Sequence, residues 1–258
     1  MHRYFVQLSY DGTNYHGWQI QHNARTVQQT LTDAFSMMLK SPVRLTGCGR
    51  TDTGVHATMY YAHFDLDRAL SADQCAKLTF KLNRYLDHDI AIHRIFPVGP
   101  DAHSRFSATR RTYKYVITKQ KDPFLVNRAY YRYGLIDIGI MNRAADWLKS
   151  VDDFTSFSKV DSDTKTNLCR IVKAGWKEEG STLVFTITAD RFLRNMVRAI
   201  VGTLIDLGTG RITLAQFKKI TLAKDRCQAG DSVPACGLYL TDVRYAVKGV
   251  KGIRAGSS

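Results

Sequence analysis

Two hydrophobic periods, one of two residues and one of three to four, alternate along this chain. Several neighbouring strand-like runs are joined by links too short to hold a crossover helix. That combination restricts the fold more than any other feature, because it argues against simple βαβ winding. Tyr4 to Ser9 reads as a strand closed by the turn pair Asp11-Gly12. Thr26, with Gln29 three residues on, forms a capping box. Val27, Leu31, Phe35 and Met38 then recur at helical spacing until Ser41-Pro42. Val43 to Thr46 and Met59 to Leu66 read as strands flanking the stretch GCGRTDTGVHA, Gly47 to Ala57. Ser71 caps a second helix with Leu78, Leu82 and Leu86 on its buried side, and Ile90 to Val98 follows as a strand.

A similar order recurs beyond about residue 105. Arg111 to Thr118 is strand-like, Ile140 to Leu148 helical, Ile171 to Lys177 and Leu183 to Thr188 strand-like, and Asp190 to Asp206 helical. The pattern predicts an α+β fold of two sandwiches whose sheets can join, with helices on one side. The halves fall at 1–104 and 105–247, and the Gly-, Lys- and Ser-rich stretch 248–258 is expected to be a disordered basic tail.

With 258 residues the chain has room for a substantial core. Lys and Arg number 37 against 23 Asp and Glu, a net charge of +14, which favours an anionic partner and nucleic acid first. Five cysteines, an odd set with no CxxC pair, argue against a disulfide framework and a zinc ribbon and suit a reducing cytoplasm. The start MHRYFVQLSYDG has no apolar signal core, and no run approaches the roughly 18–20 apolar residues of a membrane helix. The eight histidines form neither HExxH nor a tight pair on one helix, which argues against a metal. No GxxxxGK[ST] loop occurs, and Gly208-Thr209-Gly210 reads as a helix stop, so a nucleotide cofactor is not supported.

Three stretches can carry chemistry. In the first, Asp52 lies two residues from Arg50 on a glycine-rich loop. Such an arginine can keep a carboxylate ionised, and Gly49 and Gly54 let the backbone bend. A decorated turn, a lone catalytic carboxylate and half of an aspartic-protease dyad all fit these residues, since Asp52-Thr53-Gly54 spells the protease triplet. The second runs through Arg105, Phe106, Arg110, Arg111, Tyr113 and Tyr115. Arg111, Tyr113 and Tyr115 share one strand face, where a base can stack while cations hold phosphates; a half-buried strand with basic solvent-side residues fits as well. In the third, Phe192, Met196, Ile200 and Leu204 form an apolar helix face, and Arg191, Arg194 and Arg198 form a basic stripe. The alternatives are phosphate or carboxylate recognition and an ordinary solvated face.

Eight ordered blocks resemble the tRNA pseudouridine synthase A family, from about residue 3 to residue 245. They are Tyr10-Asp11-Gly12 with Tyr15-x-Gly17-Trp18-Gln19, Thr26-Val27-Gln28, Gly49-Arg50-Thr51-Asp52-x-Gly54-Val55-His56-Ala57, Arg105-Phe106-Ser107-Ala108, Arg111-x-Tyr113-x-Tyr115, Phe154-Thr155-Ser156-Phe157, Phe192-x-x-x-Met196-Val197-Arg198, and Lys224-Asp225-Arg226 with Pro234-Ala235-x-Gly237-Leu238. The resemblance implies conversion of uridine to pseudouridine in the tRNA anticodon arm, in bacteria at positions 38, 39 and 40. It also implies a homodimer, no cofactor and no essential metal. Asp52 falls on the family's catalytic aspartate, Arg50 on the arginine beside it, Tyr113 on the tyrosine that stacks on the target base, and Arg198 on the arginine that pairs with the carboxylate. It implies two ferredoxin-like (RRM-like) halves sharing a mixed, mostly antiparallel sheet, with the active-site cleft between them. Arg105, Arg110, Arg111, Arg191 and Arg194 are the expected RNA contacts, and Val55 and Leu238 an apolar rim. Thr53, Asp87-His88 and Arg194-Asn195 depart from the family pattern without touching the four site residues.

Overall fold

The computed structural model describes residues 1–159 and 166–246, so the expected tail at 248–258 lies outside the described residues. The class is the α+β expected, a mostly antiparallel sheet with helices. The described residues form two compact units: Met1–Arg110 together with residues 240–246, and Arg111–Tyr239.

The first unit opens with β1 (His2–Tyr10), α1 (Val27–Leu39), β2 (Thr46–Gly47), β3 (His56–Leu66), α2 (Ala72–Tyr85) and β4 (Ile90–Val98). β1 lies between β3 and β4 and is antiparallel to both. Alternation sends Tyr4, Val6 and Leu8 of β1 and Tyr60, Ala62 and Phe64 of β3 into the core. On the helix side, Phe35 of α1 meets Phe64 edge-on at 5.1 Å. Two helix starts differ in chemistry. At α2, Ser71 Oγ accepts from Gln74 N while the Gln74 side chain accepts from Ser71 N, a complete capping box. At α1, Thr26 accepts from Gln29 N, but the Gln29 amide donates to Asp33 Oδ1 instead, so the box expected there is only half made. The strand expected at Val43 to Thr46 shrinks to the β2 pair, with Val43 and Leu45 buried in a loop.

The second unit contains β5 (Ala108–Thr118) from Arg111 on, β6 (Tyr130–Tyr131), α3 (Ile138–Trp147), β7 (Ile171–Glu179), β8 (Thr182–Ala189), α4 (Met196–Gly208) and α5 (Leu214–Leu222). β8 is antiparallel to both β5 and β7, whereas the short β6 runs parallel to β5. The helix expected at Asp190 to Asp206 begins only at Met196. Asn195 before it holds φ 66, a left-handed conformation that interrupts any helical path from Asp190. The Asp190 carboxylate meanwhile accepts from the backbone N–H groups of Arg170 and Arg191. Nor is α4 an amphipathic surface helix, since every residue in it except Arg198 and Asp206 is buried. It ends as expected at Gly208-Thr209-Gly210, with Gly210 at φ +75.

The last strand, β9 (Leu238–Tyr245), lies alongside β3. From Leu240 on it belongs to the first unit, although its residues fall within the expected second half 105–247. The reason is packing: the Tyr245 ring meets Phe5 at 5.4 Å and Tyr61 at 5.3 Å, and its hydroxyl donates to Ser104 O.

Candidate active site

In the first unit, Asp52 sits half-buried in the turn before β3, and Arg50 is exposed two residues earlier. The turn is held from several sides. Tyr60 O–H donates to Gly49 O, Tyr10 and Thr51 hydroxyls share a hydrogen bond of 2.9 Å, and Trp18 N donates to Thr51 O at 3.2 Å. Gly54 N donates to Tyr15 O, and Val55 N closes the turn on Asp52 O at 3.1 Å. Beneath it, Trp18 stacks on Tyr60 at 4.2 Å and Tyr10 meets Tyr60 edge-on at 5.5 Å. Tyr15 is tied at its hydroxyl to Asp89 Oδ1 at 2.7 Å; burial first and that hydrogen bond second hold its phenol well above the ordinary range.

The glycines of the Tyr10–Gln19 block have a role the sequence did not disclose. A Cβ on Gly17 would come closer than 3.0 Å to the Thr51 carbonyl oxygen and lie 3.1 Å from Asp52 C, and Gly17 is at φ +82. A Cβ on Gly12 would likewise fall inside 3.0 Å of the Val55 carbonyl. The loop at 11–17 is therefore wedged, backbone on backbone, against the segment that presents Asp52. Val55, expected as an apolar rim, is 2% exposed and serves as core.

In the second unit, Tyr113 is 8% exposed, and its ring stands edge-on to Phe192 at 5.0 Å. Arg111 donates from Nη1 to Asp190 O at 3.2 Å, so Arg111, Tyr113 and the 190–192 segment come together where β5 pairs with β8. Tyr115 differs from Tyr113. It is fully buried, its hydroxyl donates to Pro234 O at 2.8 Å, and burial pushes its phenol upward, so it is a core residue. Arg198 is half-buried near the start of α4 and donates from Nε to Val233 O at 2.7 Å, while Val233 N donates back to Arg198 O. A Cβ on Gly202 would strike the Asp231 carbonyl, and Thr203 Oγ1 accepts from Gly230 N at 3.0 Å. The 229–233 segment is thus pressed onto α4 and braces Arg198. Sequence reading gave that segment no role, and the close approaches of Gly202 to Asp231 and of Gly230 to Thr203 have no signature along the chain.

The basic stripe expected on one helix does not exist: Arg191 and Arg194 precede α4, and only Arg198 lies within it. Arg194 is exposed and Arg191 half-buried. Arg105 and Arg110 are exposed in the first unit, with the Arg105 guanidinium 5.5 Å from the Phe106 ring. Leu238 is 6% exposed and packed. Among the described residues no cluster of three or more His, Cys, Asp or Glu side chains is placed to hold a metal, and no helix is long and apolar enough to cross a membrane. The protease alternative is overturned. Asp-Thr-Gly occurs once, whereas that chemistry needs two carboxylates, and five α-helices stand among the described residues where such a chain is expected to be almost all strand.

Comparison with known proteins bears out the family resemblance. A family model described as tRNA pseudouridine synthase matches residues 7–107 and 144–246. A tRNA pseudouridine synthase A of Parabacteroides distasonis is 52% identical over 245 residues, covering 95% of this chain and 96% of the relative. That of Bacteroides thetaiotaomicron is 52% identical over 248 residues, with 95% and 91% covered. That of Porphyromonas gingivalis is 51% identical over 247 residues, with 95% and 98% covered.

Proposed function

The chain belongs to the tRNA pseudouridine synthase family, isomerases that act on tRNA, and from that premise we propose that it converts uridine to pseudouridine at positions 38, 39 and 40 of the anticodon arm with Asp52 as its one catalytic carboxylate. It works as a cytoplasmic homodimer and without a cofactor. The observation that carries the assignment is the wedge behind Asp52: glycines at 12 and 17 bring two backbones together, a close approach that a mere surface turn does not require.

The reaction breaks the N1–C1′ bond, turns the uracil and joins C5 to C1′ of the same ribose. The C5 proton is lost and N1 gains one, so the product is an isomer. The target base leaves its stack first, at a cost of about a few kcal/mol, least at a stem end or loop. Attack on C6, attack on C1′ and removal of a sugar proton all require an ionised carboxylate. Asp52 supplies it, with Arg50 and Arg198 as its supporting arginines. Tyr113 stacks on the uracil, and its hydroxyl carries the C5 proton. The exposed cations Arg105, Arg110 and Arg194, with Arg111 and Arg191, position phosphates rather than read bases.

The test is tritium release from tRNA labelled at uridine C5, read for the wild type and Asp52→Ala beside tRNA binding. Bound but unreleased label in the variant supports the assignment. Equal release from both proteins rejects Asp52, and repeating the assay on single-uridine tRNAs fixes the positions.

A further inference from the structure

The face of the first unit's sheet that turns away from α1 and α2 carries two arginines in different states. Arg3 is neutralised, since its Nε and Nη2 donate to the two carboxylate oxygens of Asp65 at 2.8 Å each. Arg94 of β4 pairs with no carboxylate among the described residues. Its guanidinium carbon lies 4.1 Å from the centroid of the Phe96 ring, and its buried Nε has no hydrogen-bond partner among the described residues. Its charge is felt at the Tyr61 hydroxyl, as is that of Asp242, but Asp242 is engaged by Arg244 Nε at 3.0 Å. Arg94 is half-buried, so it is held in place yet reaches solvent.

The backbone places it there. Strict alternation along Ile90, Ile92, Arg94 and Phe96 would put all four on one face. In the ladder with β1, however, Leu8 pairs with Ile92 and Gln7 with Arg94, so His93 is an extra residue on β4. Ile92 accordingly faces the core at 3% exposure, while Arg94 and Phe96 turn to the side of Gln7 and Phe5. Asn83 of α2 fixes the irregularity, donating to Ile92 O and accepting from Ile92 N at 2.7 Å each. Bulges of this kind re-aim a side chain and are frequent beside working sites. Gln7, the register partner of Arg94, is three residues from Tyr10, whose hydroxyl touches Thr51; about 10 Å of strand separates them.

We propose that Arg94, seated over the ring of Phe96, is a binding residue for a phosphodiester of the substrate RNA close to the uridine that Asp52 acts on. The inference rests on the family reaction proposed above and adds a contact to it. A guanidinium stacked on a ring keeps its edge for planar recognition of phosphate oxygens and loses little side-chain freedom on binding. Its lack of a carboxylate partner, in contrast with Arg3, leaves nothing to displace when the anion arrives.

The experiment compares wild type, Arg94→Ala, Arg94→Lys and Lys77→Ala in tRNA binding and uridine isomerisation across a salt series. Lys77, bound to Asp73 one helical turn away, is the control for the loss of one positive charge. Arg94→Ala raises KM about 5- to 20-fold with kcat within twofold, and the slope of log affinity against log salt becomes shallower by about 0.7–1. Arg94→Lys keeps the slope and recovers only part of the affinity, and should Arg94→Ala fail to fold, Arg94→Gln must show the same change of slope. Lys77→Ala behaves as wild type. Equal KM and slope for the Arg94 and Lys77 variants overturns the phosphate seat while leaving the family reaction intact. A wild type that isomerises no uridine removes that reaction itself.

Discussion

Gly17→Ala tests whether the wedge positions Asp52 or merely fills space. The new methyl group meets two penalties. At φ +82 an L-residue costs roughly 1–2 kcal/mol. The overlap with the Thr51 carbonyl, with Asp52 C at 3.1 Å behind it, adds about 1–3 kcal/mol as overpacking does elsewhere. If the fold absorbs both, the melting temperature falls by on the order of 10 °C. If the 51–54 turn yields instead, stability is largely kept, the carboxylate moves by about 1 Å, and turnover drops on the order of 100-fold. Gly210→Ala separates the two penalties, because Gly210 sits at φ +75 with nothing within 4 Å of its would-be Cβ. The assay is tritium release at saturating tRNA alongside calorimetric melting of both variants. If Gly17→Ala matches Gly210→Ala in melting temperature and stays within twofold of wild type in turnover, the wedge does not hold Asp52.

Two further outcomes follow from buried groups. His63, 6% exposed, has its imidazole pushed down to about 4 by burial first and by the charges of Arg3 and His103 next. The unfolded chain binds the proton near pH 6.5 and the folded chain only near 4, so stability is lost as pH falls through that window. The loss is at most about 3 kcal/mol, and His63→Gln should flatten that part of the melting-versus-pH curve. Gly202→Ala drives a methyl into the Asp231 carbonyl, lifts the 229–233 segment and loosens the Val233 brace on Arg198. Turnover should fall at least about tenfold, with KM for tRNA changing less, in steady-state kinetics.

Where local chemistry and long-range packing ask for the same thing, the sequence is a good guide. Ser71 and Gln74 form the box their spacing announces, and Leu78 and Leu82 are buried as the helical period requires. The misreadings occur where one residue breaks a period. Asn195 in the left-handed region divides what looks like one helix from Asp190, because its side chain bonds Ser232, 37 residues away. The His93 bulge reverses the faces of β4 without altering its composition. The head of α5 carries the start Thr213-x-x-Gln216, and both halves of its capping box form although no long apolar period follows it in the sequence. Of the candidate residues, the charged Asp52, Arg50 and Arg198 are visible as residue types. Their supports are not: Gly12, Gly17, Gly202 and Val233 act through a carbonyl or an absent Cβ, and neither leaves a mark in one-dimensional spacing.

The placement of β9 alongside β3 has a temporal meaning. Tyr245 completes the packing over Phe5, so the core of the first unit closes only after the intervening unit, Arg111–Tyr239, has been synthesised. Nascent chains halted before Leu238 carry the Asp52 turn on an unfinished platform, so the unit begun first is the one completed last.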